Sequence, residues 1–177
     1  MEILTMREIG LDPETIVEDG TTFEENARIK AHAVGVLPET IVLADDSGLE
    51  IDALNGEPGI YSARYLGKDT PQEIVNATVI ERLSGLHGAE RSCRFRTVMA
   101  VLFPDGTEEI TEGVLEGQIS EKAAGNGGFG YDPVFYVPEQ GMTMAELGTD
   151  FKNTVSHRSI ASKKAAEKIR RYLGEHK

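Results

Sequence analysis

The stretch IVLADDSGLE, residues 41–50, decides the fold because it joins a wholly apolar run to two adjacent carboxylates. Ile41 to Ala44 has the composition of a buried β-strand, and Asp45 and Asp46 follow it directly. Ligands of α/β sheets bind at the carboxyl ends of strands, and Mg²⁺ prefers carboxylate and phosphate oxygens. A simple turn, in which Asp-Ser-Gly bonds to its own backbone, explains these residues equally well on their own.

Helix and strand patterns continue on both sides of this stretch. Thr22 and Glu25 have the spacing of a capping box and predict a helix start. Pro71 predicts a second helix start, whose apolar side is expected to contain four residues at helical spacing. These four residues are Ile74, Ala77, Ile80 and Leu83. The order of these patterns predicts a mixed α/β fold.

Three more elements follow from turn and cap signals. The dipeptide at 105–106, Asp-Gly, predicts a β-hairpin between strands 91–103 and 108–117. Ser156 is placed to cap a terminal helix, and residues 2–6 have the pattern of one short strand. We find no internal repeat and no clear linker, so we expect a single domain over residues 1–177.

Charge and cysteine content limit the possible functions. The chain of 177 residues has a net charge of -12, which disfavours binding to nucleic acids and anionic membranes. Cys93 is the one cysteine, so the chain has no intrachain disulfide and no cysteine zinc cluster. No run of about 18 apolar residues predicts a membrane span. A cytoplasmic enzyme or binding protein fits these properties.

A second acidic segment precedes and begins the first helix. VEDGTTFEENARIKA, residues 17–31, contains Glu18, Asp19, Glu24 and Glu25. Acidic residues at a helix start interact favourably with the helix dipole, and this interpretation is the stronger one for Glu25. For Glu18 a cap and a ligand role are equally favoured, and Lys30 has the pattern of a solvated side chain.

A glycine loop and a basic segment are the remaining candidates. GNGGFG, residues 125–130, formally matches a dinucleotide-binding loop, but the strand pattern after it does not fit that motif. Its glycines let the backbone approach a nucleotide, and Phe129 can stack on a base. Lys152, His157 and Arg158 are donors in FKNTVSHRSI and are suited to an anion or a base edge. The other histidines, His32, His87 and His176, have no such surroundings and are interpreted as ordinary surface or core residues.

Taken together, five segments in this order resemble the inosine/xanthosine triphosphate pyrophosphatases, also called dITP/XTP diphosphatases or the HAM1-like family. The segments are EDGTTFEENARIKA, ADDSGLEIDALNGEPGIYSARY, GGFGYDPVF, MAEL and FKNTVSHRSIA. The resemblance implies an α/β fold with a central elongated, twisted, mixed β-sheet flanked by helices, and two lobes with the active site in the cleft between them. It also implies a homodimer that requires Mg²⁺.

The activity that the resemblance implies is hydrolysis of deaminated purine nucleotides (ITP, dITP, XTP) to the monophosphate and pyrophosphate. Asp46 would be the general base and a metal ligand, and Glu18 the second metal ligand. Substrate contacts would come from eight residues in three segments of the chain. These are Ser47, Phe129, Gly130, Tyr131, Asp132, Lys152, His157 and Arg158.

One feature of the family is missing from the sequence. The resemblance leads us to expect a first strand with a T-x-N-x-x-K motif that contacts the triphosphate, and the sequence contains no such motif. We therefore expect the chain to begin at the second strand of the family. The alternative reading of function is a truncated relative that binds purine nucleotides with weak activity or none.

Overall fold

The computed structural model describes residues 2–175, and His176 therefore lies outside the described residues. Five strands form one sheet in the order β1-β2-β3-β4-β5. The strands are β1 (Val42–Ile51), β2 (Ser92–Leu102), β3 (Glu108–Ile119), β4 (Phe135–Val137) and β5 (Met142–Thr143). The helices are α1 (Phe23–Val34), α2 (Gln72–Arg82), α3 (Met144–Val155) and α4 (His157–Glu175). The prediction of an α/β fold is confirmed.

The strand pairs at the β3–β4–β5 side of the sheet are antiparallel. β4 pairs antiparallel with both β3 and β5. The turn between β2 and β3 is closed by a hydrogen bond of 2.9 Å from the Gly106 amide to the Phe103 carbonyl, which confirms the predicted hairpin. The mixed pairing expected of the sheet is therefore not found in the β3–β4 and β4–β5 pairs, and the tight turn between β2 and β3 also reverses the chain.

The chain divides into two compact units. Unit 1 comprises residues 1–46, 98–112 and 161–177, and unit 2 comprises residues 47–97 and 113–160. The core of unit 1 includes Met99 and Val101 of β2, Phe103 directly after it, and Ala161 and Ala165 of α4. The core of unit 2 joins β1, α2, β2 and the segment from 131 to 144. Each unit therefore buries its own apolar cluster.

Helix α1 begins as predicted, but the Glu25 side chain bonds to the residue before the N-cap. The Thr22 hydroxyl accepts a hydrogen bond from the Glu25 amide at 3.1 Å, as a capping box requires. The Glu25 carboxylate, however, accepts from the Thr21 amide at 2.6 Å, one residue before the cap. These bonds satisfy amide groups that the first turn of a helix leaves unpaired.

The face that helix α2 turns to the core was predicted only in part. Val75, Asn76 and Val79 are buried, whereas Ile74 is 54% exposed. Of the four predicted residues, Leu83 is in the core and Ile80 packs against it, whereas Ile74 and Ala77 are exposed because Val75 and Val79, at equal helical spacing, meet the core instead. This rotation brings the polar Asn76 to the inner face of the helix.

A buried arginine joins the end of α2 to the end of β3. Arg91 is 4% exposed, and its guanidinium donates to the carbonyls of Leu83 at 2.7 Å and Ile119 at 2.6 Å. It also donates to the carbonyl of Ser120 at 2.9 Å. A buried charge is tolerated here because several carbonyl dipoles replace its lost water.

The amino-terminal segment does not form the predicted strand. Thr5 donates from its amide to the Glu8 carboxylate at 2.7 Å, and residues Arg7–Ile9 form a 3₁₀ turn. Local side-chain bonds of this kind compete with strand formation. No helix within residues 2–175 has the length and apolarity to cross a membrane.

Candidate active site

Strand β1 places its two aspartates within the strand rather than at its end. β1 runs through Asp45 and Asp46 to Ile51, so the expectation that they follow the strand is wrong. Successive side chains of a strand point to opposite faces, which separates the two carboxylates and reduces their repulsion. Asp46 is 8% exposed, whereas Asp45 is only partly buried.

Asp46 lies in an acidic cluster, which we define as Asp46, Glu18, Lys30 and Asn26. The Lys30 ammonium donates to Asp46 Oδ1 at 2.8 Å and to Glu18 Oε2 at 3.3 Å. The Asn26 amide donates to Asp46 Oδ2 at 3.3 Å. Asn26 and Lys30 are four residues apart on α1, which puts both on one face of the helix.

Burial governs the electrostatics of this cluster. Loss of water raises the pKa of Asp46 above its ordinary value, because a low-dielectric setting disfavours the charged carboxylate. The hydrogen bond and charge of Lys30, and then the amide of Asn26, oppose this rise, whereas the charge of Glu18 adds to it. Asp46 is therefore a carboxylate of increased basicity.

The neighbouring glutamates have structural roles, as the helix-start interpretation predicted. The Glu25 carboxylate accepts from both the amide and the hydroxyl of Thr21, which lowers the pKa of Glu25. Glu24 forms an ion pair with Arg28 one turn along α1. Glu18 differs from both because it shares a cation with Asp46.

The donor chemistry of the acidic cluster suits a hard cation in part. Asp46 and Glu18 supply carboxylate oxygens that meet at one ammonium group. Among residues 2–175, no group of three or more His, Cys, Asp or Glu side chains is placed to hold a metal ion. A Mg²⁺ ion commonly takes one or two protein carboxylates and completes its shell with phosphate oxygens and water. The two carboxylates fit that pattern.

A pocket of about 280 Å³ in unit 2 collects the other candidate residues. All eight residues expected to contact substrate line it, and they come from three separate stretches of the chain. They are Ser47, Phe129, Gly130, Tyr131, Asp132, Lys152, His157 and Arg158. Ser47 follows Asp46 directly in β1, and its hydroxyl lies 2.8 Å from the Thr97 hydroxyl. We refer to this cavity as the aromatic pocket.

An exposed phenyl ring with two cations over it forms one wall of the aromatic pocket. Phe129 is 64% exposed. The Lys152 ammonium lies 4.1 Å from the centre of its ring, and the Arg158 guanidinium carbon lies 5.6 Å from it. Cations are attracted to the face of an aromatic ring at these distances. The ring is thus held near two groups that can only donate hydrogen bonds.

Buried side chains next to this wall form hydrogen bonds and ring contacts. Asp132 is 2% exposed, accepts from the Phe129 amide at 2.8 Å and pairs with Lys152. His157 is 5% exposed and stacks on Phe95 with 4.8 Å between ring centres. The Tyr131 hydroxyl donates to the Ser62 carbonyl at 2.9 Å, and burial raises its pKa. These contacts fix the lining before any ligand binds.

The glycine loop is a turn and not a dinucleotide-binding loop. The segment after it leads to β4 (Phe135–Val137), as its pattern predicted, and no helix follows directly. Gly128 has a φ of +76°, and a side chain there would collide with the Asp132 carboxylate. A glycine is therefore required for the close approach of Asp132 to the loop.

Sequence reasoning missed several residues of both sites. Lys30 was interpreted as a solvated side chain. Its position four residues after Asn26 could have indicated that the two side chains share one face of α1. Phe95 and Gln72, which no motif contains, also line the aromatic pocket, as does Ser62, which lies in a quoted segment but was not singled out. His157 begins α4 next to the predicted cap, where the Ser156 hydroxyl accepts from the Ser159 amide at 3.2 Å.

Comparisons with known proteins agree on one family. The model of the Ham1 family matches residues 1–168. A dITP/XTP pyrophosphatase of Leuconostoc mesenteroides is 44% identical over 170 residues, which cover 96% of this chain and 84% of the relative. One from Thermus thermophilus is 52% identical over 144 residues, covering 81% of this chain and 69% of the relative. The solved Ham1 protein of Staphylococcus aureus is 38% identical, with a TM-score of 0.82 over 97% of this chain and 85% of that one.

Proposed function

Since the chain belongs to the Ham1 family, we propose that it hydrolyses deaminated purine nucleoside triphosphates, namely ITP, dITP and XTP, to the monophosphate and pyrophosphate. Relatives that carry the name dITP/XTP pyrophosphatase support the substrate class. The observation that carries the proposal is the aromatic pocket, in which an exposed ring and two cationic donors line a cavity of about 280 Å³.

The aromatic pocket is proposed to bind the purine base. Phe129 offers a face for stacking, and Lys152, His157 and Arg158 offer donors to the 6-oxo group of hypoxanthine or xanthine. Lysine and arginine cannot accept a hydrogen bond, so the amino group of adenine would leave a donor unpaired. Such a mismatch rejects a substrate strongly. Ser47, Gly130, Tyr131 and Asp132 are proposed to complete the contacts.

Asp46 is proposed to be the general base of the reaction. Its carboxylate would accept a proton from the water that attacks phosphorus, while the anhydride bond between the α and β phosphates breaks. Because burial raises its pKa, this carboxylate is a stronger base than an exposed aspartate. Lys30 holds one carboxylate oxygen at 2.8 Å and thereby fixes the orientation of the base.

Mg²⁺ is proposed as the cofactor, with Asp46 and Glu18 as its protein ligands. When bound, the ion would supply positive charge that neutralises the phosphate oxygens. Two carboxylates leave several coordination positions for phosphate and water, as Mg²⁺ prefers. The Lys30 ammonium pairs with both carboxylates and thereby holds them near each other.

The test is to incubate the purified chain with ITP, dITP, XTP, ATP or GTP in the presence and absence of MgCl₂. Products are separated by ion-exchange chromatography, and IMP with pyrophosphate is expected from ITP. Release of IDP with orthophosphate would overturn the mechanism. Binding of ITP without turnover would instead favour the alternative of a nucleotide-binding relative.

Assembly and location are further parts of the proposal. We propose a homodimer in the cytoplasm, where the nucleotide pool supplies the substrate. Large apolar side chains of unit 2, including Tyr61, Leu66 and Ile74, are about half exposed and are available to a second copy. Sedimentation equilibrium at several concentrations measures the assembly, and a mass of 19.3 kDa at all of them would exclude the dimer.

A further inference from the structure

We infer that Asn76 of α2 is a positioning residue, which holds the glycine loop in the conformation that presents Phe129 to a purine base. This inference rests on the proposed function, since it assigns to that pocket a residue outside its predicted contacts. Asn76 is 5% exposed, and its amide nitrogen donates to the carbonyl of Gly130 at 3.1 Å. No sequence motif pointed to it.

A second hydrogen bond, from Gln72, orients the side-chain amide of Asn76. Gln72, one turn earlier on α2, donates from its amide nitrogen to Asn76 Oδ1 at 3.1 Å. With its oxygen engaged in this way, the Asn76 amide must present its nitrogen to the loop. Gln72 therefore donates to Asn76, and Asn76 donates to the Gly130 carbonyl; we call this pair of hydrogen bonds the relay.

The loop needs such an anchor because its own backbone is permissive. Gly125, Gly128 and Gly130 all have positive φ angles, and Phe129 between the last two is largely exposed. Glycine in these conformations has a large entropy cost when it is ordered. The Asp132 carboxylate accepts from the Phe129 amide, and Asn76 donates to the carbonyl of the next residue, Gly130.

Space behind the loop makes the anchor necessary. A cleft of about 780 Å³ lies between α2 and residues 123–130, and both Asn76 and Phe129 line it. Without the Asn76 bond, Phe129 has room to leave its stacking position. Arg91 fixes the other end of α2, so the relay attaches the loop to a helix that is itself held in place.

The experiment compares Asn76→Ala and Asn76→Asp with Thr78→Ala as the matched control. Asn76→Asp keeps the size of the side chain and removes the donor. Thr78 is on the same helix, but its hydroxyl donates to the Ile74 carbonyl within α2 at 2.9 Å and not to the loop. Hydrogen exchange of residues 123–133 is measured in the protein without nucleotide, followed by steady-state kinetics with ITP.

Faster exchange in this loop is expected for both Asn76 variants and not for Thr78→Ala. KM for ITP should rise about tenfold, as the loss of one buried hydrogen bond suggests, with kcat nearly unchanged. Inhibition by inorganic pyrophosphate, which has no base, should keep its inhibition constant. Gln72→Leu should give the same pattern with a smaller change.

Three results separate the possible failures. Unchanged loop exchange in both Asn76 variants would overturn the inference, whether or not ITP is a substrate. A parallel loss of pyrophosphate affinity and thermal stability would also overturn it, since Asn76 would then be only a structural residue. Absence of ITP hydrolysis by the unchanged chain would contradict the proposed function, and loop exchange would still decide the role of Asn76.

Discussion

The acidic cluster of unit 1 and the aromatic pocket of unit 2 handle polar groups in opposite ways. In the acidic cluster, burial and a nearby carboxylate raise the pKa of Asp46, and one ammonium only partly offsets this. In the aromatic pocket, the buried Asp132 carboxylate accepts a hydrogen bond from the Phe129 amide and pairs with Lys152. Burial in the acidic cluster disfavours the charged form of its reactive carboxylate, whereas hydrogen bonds and ion pairs in the aromatic pocket hold its side chains in place for a ligand. Chemistry is expected to depend on the first, and recognition on the second.

The largest effect is expected from Asp46→Asn. Removal of a general base should lower kcat by about 100-fold to 10,000-fold. The free energy of unfolding at neutral pH should not fall, because the folded state disfavours the charged carboxylate. A carboxyl whose folded pKa is raised costs stability once the pH exceeds its ordinary unfolded pKa, and the full cost applies above the folded pKa. An asparagine avoids that cost.

Kinetics with ITP and urea unfolding at about pH 7.5 measure these two effects, with Asp45→Asn as the matched control. The control carries the same chemical change on the opposite face of β1 and should lose less activity. Equal losses in the two variants would show that β1 does not distinguish its two aspartates.

A smaller effect is expected from Phe129→Leu, which removes the ring and keeps an apolar side chain. Stacking of a base on an aromatic ring contributes about 1–3 kcal/mol, so KM for ITP should rise about fivefold to 100-fold. Phe129→Tyr keeps the ring and should stay close to the unchanged protein. If kcat fell while KM held constant, the pocket would serve the chemical step and the contrast between the regions would fail.

Lys30→Met should change the pH dependence. The Lys30 bond and charge lower the pKa of Asp46, so their removal raises that pKa further. Because the base must be deprotonated, the acidic limb of kcat/KM should move to higher pH. A pH profile between about 4 and 9 measures the shift. A limb that stays in place would mean that a group other than Asp46 controls it.

The smallest shift is expected from Glu18→Gln, and in the opposite direction. The charge of Glu18 raises the pKa of Asp46 as the last of the resolved influences, so its loss moves the acidic limb slightly to lower pH. The MgCl₂ concentration for half-maximal rate should also increase, since one proposed ligand loses its charge. Unchanged MgCl₂ dependence would remove Glu18 from the metal site.

Local patterns predicted most of the fold and few contacts between distant residues. The α1 cap, the β2–β3 hairpin and the Ser156 cap depend on residues close in sequence, and all are confirmed. The length of β1 could not be read from composition, because two aspartates and a glycine look like the end of a strand. The core-facing side of α2 was predicted only in part, because two apolar stripes that share Leu83 compete on one helix.

The sites show the same division. The motifs named eight of the residues that line the aromatic pocket, because each of the eight lies in one of three recognisable segments. Lys30 and Asn76 were missed because their importance depends on partners 16 and 54 residues away. Helical periodicity indicates which face a side chain shares, and gives no information about the distant atom that it meets. Three-dimensional packing supplied that part.

The position of Asp46 within β1 has an evolutionary consequence. A strand alternates its faces with every residue, so inserting or deleting one residue between 42 and 45 would exchange the places of Asp45 and Asp46. The turn at 103–107 lies outside β1, so a change in its length does not exchange the two aspartates. Within the ten residues of β1, a substitution changes one side chain, whereas a change of length by one residue changes the face of every side chain beyond it.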